Sequence, residues 1–145
     1  CFRDNAELVA ASYLNKALDT KDKDCALELI KHAQELIPQY YENNLALAKV
    51  HGAGSPLITE QEYKNALRYC TSIQDQIRVN MLYSDFLIRI NDYHSAIDIL
   101  NLTEDLNGNI IEIKFQKSKV HCYMGQYDSA EEILSKHNAE NCWAV

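Results

Sequence analysis

The side chains of this 145-residue chain best suited to chemistry are five histidines, His32, His51, His94, His121 and His137, and five cysteines, Cys1, Cys25, Cys70, Cys122 and Cys142. Nucleophilic catalysis needs a thiol or hydroxyl beside an imidazole, with a carboxylate to orient the ring. The histidines are scattered without a paired carboxylate motif, and H-E-x-x-H, G-x-S-x-G, G-x-x-x-x-G-K-[ST] and G-x-G-x-x-G do not occur. His121 and Cys122 are adjacent, but neighbouring residues of a helix point about 100° apart, so they cannot form a dyad with each other. Cys122 reads as a small core residue and His121 as a partly buried, hydrogen-bonded side chain. No C-x-x-C pair or zinc-ligand spacing is present, so neither a metal nor a cofactor is expected. The short acidic runs Glu60-Gln61-Glu62 and Glu131-Glu132 suit helix starts and solubility. The sequon Asn101-Leu102-Thr103 falls inside a predicted helix and is set aside. The expectation is a protein that is not an enzyme, with a Cys/His-dependent enzyme as the alternative from a different class.

The elements that carry these residues are helices. Four Gly and two Pro make six breakers in 145 residues, well under the roughly 12% of average usage. All-β folds, collagen and flexible linkers need far more of them. At 47% apolar and 24% charged the chain has enough apolar surface to offset the entropy of ordering. A chain this long can bury roughly 70% of the surface it exposes when unfolded, as a single domain without staples. Its charge of 14 − 21 = −7 argues against nucleic acid and against an anionic membrane surface as ligands. Apolar runs such as Leu8-Val9-Ala10-Ala11 stop at four residues, where a membrane span takes about 20. The odd, widely spaced cysteines suit reduced thiols in the cytoplasm or nucleus. A start on Cys1 without Met fits a processed chain or a piece of a longer one, and a lipoprotein anchored through Cys1 is a lesser alternative.

Helical periodicity predicts eight helices, at about 5–19, 23–37, 40–51, 60–72, 74–90, 93–103, 109–124 and 127–137. They fall into four antiparallel pairs over 5–37, 40–72, 74–103 and 109–137. Asp4 with Glu7 and Thr59 with Glu62 have capping-box spacing, and Asn107-Gly108 reads as a turn. Gly52-Ala53-Gly54-Ser55-Pro56 is a breaker cluster inside the second pair. The second helix of each pair repeats one pattern, an Ala followed four residues on by an apolar side chain, often with Tyr three residues before. The copies are Ala26 with Ile30, Tyr63-Ala66 with Cys70, Tyr93-Ala96 with Leu100, and Tyr127-Ala130 with Leu134. Ala lets two helices approach closely, and the residue one turn on packs against the next hairpin.

This pattern resembles the tetratricopeptide repeat, a helix-turn-helix unit of 34 residues. Ser118, Gly125-Gln126-Tyr127, Ala130 and Leu134 follow its signature in the fourth copy, and Ser84, Asn91-Asp92-Tyr93, Ala96 and Leu100 in the third. Ala26, Ile30, Ala33 and Pro38 follow its second half in the first copy. Lys23 in place of the turn Tyr, the long Gly52 to Thr59 stretch and a shortened second-to-third spacing depart from it. The resemblance covers nearly the whole chain. It implies an all-α, right-handed superhelical solenoid, with Tyr63, Tyr93 and Tyr127 in the packing and Tyr40-Tyr41 between hairpins. Asn138 to Trp143 looks like the approach to a further repeat, so the chain reads as a segment of a longer array.

The resemblance further implies a protein-interaction module that holds a peptide or partner helix on the first helices of its hairpins. Transferred residue by residue, the groove positions are Asn15 in the first copy, Arg78, Met81, Asp85 and Arg89 in the third, and Phe115, Lys119 and Tyr123 in the fourth. The family members that hold the C-terminal carboxylate of heat-shock chaperones use a clamp of Lys, Asn and Arg. Here its positions are Ala11, Asn15, Ala46, Arg78 and Leu82, or one copy later Leu45, Lys49, Leu82, Glu112 and Gln116. Neither frame keeps the positive clamp that a buried carboxylate needs. The expected partner is a protein or peptide, with two other uses open: a self-associating subunit of a large assembly such as the anaphase-promoting ubiquitin ligase, and a client chaperone of the bacterial secretion type. The apolar run Cys142-Trp143-Ala144-Val145 predicts association, as a homodimer or with a partner, at the C-terminal end.

Overall fold

The computed structural model describes residues 2–107 and 110–142, the side chains at 107 and 137–142 excepted. The described residues form eight α-helices: α1 (Phe2–Asp19), α2 (Lys23–Leu36), α3 (Tyr41–His51), α4 (Pro56–Tyr69), α5 (Ile73–Arg89), α6 (Tyr93–Asn107), α7 (Ile111–Tyr123) and α8 (Tyr127–Cys142). A single 3-10 turn, Gly52–Gly54, stands between α3 and α4. Neighbours pack as hairpins, α1 with α2, α3 with α4, α5 with α6 and α7 with α8. The chain divides within α5 into two compact units, residues 1–79 and 80–145.

In unit 1, Ala10, Leu14 and Ala17 of α1 meet Ala26, Ile30 and Ala33 of α2, and α3 inserts Ala46 into the same cluster. Small side chains on both faces allow the close approach, while Tyr13, Leu29, Ile37, Tyr40, Leu47 and Val50 fill the margins. Burial of a side chain such as Ile30 contributes about 1.5–3 kcal/mol. The buried residues of unit 2 include Phe86, Leu87, Ala96, Leu100, Ile113, Val120 and Ala130. All four repeated alanines, Ala26, Ala66, Ala96 and Ala130, are buried. Ser84 and Ser118 are buried too, and the Ser118 hydroxyl donates to the carbonyl of Ala130 at 3.3 Å, tying α7 to α8.

Two turns of unit 2 share one bonding pattern. Asp92 N–H donates to Leu87 C=O and Asn91 N–H to Ile88 C=O; 34 residues later Gln126 N–H donates to His121 C=O and Gly125 N–H to Cys122 C=O. This is the Schellman C-cap, which requires a left-handed residue. Asn91 (φ 63°) and Gly125 (φ 74°) supply it. The residue after each begins the next helix, since Ala96 N–H donates to Asp92 C=O and Ala130 N–H to Gln126 C=O. Asp92 also caps α6 by accepting from Ser95 N–H at 3.2 Å.

Several expectations need correction. Neither proposed capping box exists. α1 already starts at Phe2, so Glu7 is internal and pairs with Arg3 one turn back. α4 starts at Pro56 rather than at 60, with Pro at its first turn, where a missing N–H costs nothing. Thr59 is buried inside α4, its hydroxyl donating back to Gly52 C=O at 2.8 Å, and Glu62 accepts from Asn44 Nδ2 instead. α6 runs on to Asn107, with no breaker before Gly108 and with the buried Thr103 hydroxyl bonded to Ile99 C=O one turn back. α8 continues to Cys142 rather than 137. Cys122 is exposed, not core. Tyr127 is 69% exposed and does not serve the packing, whereas Tyr63 does, at 3%. The expectations for Cys1, Gly108 and the Trp143-Ala144-Val145 tail lie outside the described residues.

Candidate functional site

Of the eight groove positions, Asn15 and Arg78 belong to unit 1 and the other six to unit 2. Asn15 is exposed on α1. Arg78 is held by α3: its guanidinium pairs with the Glu42 carboxylate and reaches the Tyr41 hydroxyl at 3.5 Å, while Tyr41 donates to Asp75 Oδ1 at 2.9 Å. Burial alone would lower the Arg78 pKa, but the hydrogen bond and charge of Glu42 outweigh it and the net shift is upward. Burial first, then the hydrogen bond to Asp75, holds the Tyr41 hydroxyl well above the usual tyrosine range. Nearby Cys70 donates to Ala66 C=O at 3.3 Å. Its thiol is pushed up to about 11 by burial and then by the carboxylates of Asp75 and Glu42. A thiol held so far from the thiolate is not poised as a nucleophile at neutral pH. This cluster is a polar fastening between α3 and the first turns of α5.

Unit 2 presents a different surface. Met81, Ile111, Phe115, Gln116, Cys122 and Leu134 line an open hollow of about 780 Å³, with Ser118 in its floor and Glu112 and Lys119 at its rim. Phe115 is 60% exposed and Ile111 43%. On α7 the residues 111, 115, 118 and 122 follow helical spacing, which places them on one face. Asp85 accepts from Gln116 Nε2 at 2.7 Å, while the buried Gln116 Oε1 has no hydrogen-bond partner. Tyr123 stacks on Tyr93, with centroids 5.7 Å apart and planes 21° from parallel. The Lys119 ammonium stands 5.9 Å from the Tyr123 ring centre, at cation–π distance. Arg89 is exposed at the end of α5.

Met81, Phe115 and Lys119 therefore share one wall, and Asp85 and Tyr123 stand beside it through Gln116 and Lys119. Ile111 and Cys122 share the Phe115 face by spacing along α7 and were missed, and Leu134 comes from α8, which spacing along α7 does not reach. Leu134 carried the available signal, since it occupies the register of Ile30 and Leu100. His121 Nδ1 lies 2.7 Å from Gln126 Oε1 and is part of the turn rather than of the hollow. Among the described residues no cluster of three His, Cys, Asp or Glu side chains could hold a metal ion, and no helix is long and apolar enough to cross a membrane.

What this arrangement can do is bury apolar side chains of something else, with Glu112 and Lys119 available for orientation. No family model matches the chain, and the search of curated proteins finds no match to it.

Proposed function

We propose that the chain is a non-enzymatic protein-interaction module of four tetratricopeptide-like hairpins, which takes an apolar segment of a protein partner into the unit 2 hollow. The observation that carries this reading is the exposed apolar face of Ile111, Phe115 and Leu134 around a hollow of about 780 Å³. Leaving such a face in water forgoes about 25 cal/mol for each Å² that a partner would cover. Support for the repeat comes from the two Schellman turns 34 residues apart and from the four buried alanines. The polar rim is mixed in charge, so recognition rests on apolar anchoring, with Lys119 and Glu112 setting direction. A net charge of −7 favours protein over nucleic acid as the partner.

The test is to pan a displayed library of amphipathic peptides against the protein and to measure the selected binders by fluorescence anisotropy. Binding should fall at least about tenfold in Phe115→Glu, where a charge would enter the apolar contact, and stay unchanged in Leu57→Glu, an 83% exposed site in unit 1. Binders indifferent to Phe115, or none at all, overturn the reading.

A further inference from the structure

We draw no further inference here: the strongest candidate, the hollow of about 640 Å³ in unit 1 that Arg3 and Arg68 share with the α2–α3 and α4–α5 connections, carries nothing, because the Glu7 carboxylate on Arg3 and the C-terminal ends of α2 and α4 offset the two guanidinium charges and nothing in the structure shows what covers it.

Discussion

The connections inside the third and fourth hairpins close on one shared set of backbone hydrogen bonds, whereas in the one inside the second a side chain satisfies a turn carbonyl. At Asn91 and Gly125 two N–H groups close on two carbonyls with a single left-handed residue between the helices. Between α3 and α4 the chain instead runs through Gly52 (φ 57°) and a 3-10 turn, and the buried Thr59 hydroxyl satisfies Gly52 C=O. A backbone turn demands one permissive residue and tolerates change elsewhere. A side-chain fastening depends on the donor, here Thr59, in the hairpin that strays from the 34-residue spacing.

Substitution can break this comparison at three levels of effect. The largest lies where all hairpins should agree, at the closest helix contacts. Ala96→Leu and Ala130→Leu should each cost about 1–3 kcal/mol by overpacking, read from chemical denaturation. A melt overlaying the parent for both would mean that the repeat register is misplaced.

The turns come next. Gly125 has open space around an added Cβ, so Gly125→Val isolates backbone strain and should cost about 1–2 kcal/mol. Asn91→Gly, at the equivalent position, should be neutral or stabilise by up to about 1 kcal/mol. Calorimetry should show a loss at Gly125 and none at Asn91; a destabilising Asn91→Gly would show that the Asn side chain, which accepts from the Tyr93 hydroxyl at 2.9 Å, matters more than its φ.

The smallest effect should come from Thr59→Val, which keeps the volume, removes the donor to Gly52 C=O and costs about 1 kcal/mol. Hydrogen exchange localised at the first turn of α4 is the sharper readout. Unchanged protection there would remove the distinction drawn between the two kinds of connection.

Helix pairing and the buried alanines were legible because a pattern repeats: Ala26, Ala96 and Ala130 are each the fourth residue of their helix, and Ala66, deeper in α4, keeps the Tyr three residues before it. The capping boxes were misread because Thr59 with Glu62 and Asp4 with Glu7 have a spacing that is equally at home inside a helix. Only Pro56 marked the true start of α4. Cys122 reads as core from its residue type and Tyr127 from the repeat pattern, yet burial depends on what packs over each position, which local sequence does not encode. The Glu42 to Arg78 pair joins residues 36 apart, and nothing in either segment singles out its partner. Phe115 and Lys119 were legible as spacing on α7, but that Met81 of α5 and Leu134 of α8 line the same hollow was not.

The contrast among the cysteines has a practical consequence. With its thiol pushed up to about 11, only about one Cys70 side chain in ten thousand is a thiolate at pH 7. Cys122 is exposed on the wall of the hollow. With Cys1, Cys25 and Cys142 replaced by Ser, an environment-sensitive dye directed to Cys122 would leave Cys70 unmodified and would sit in the lining of the hollow. The protein carries its own attachment point for an optical sensor of binding.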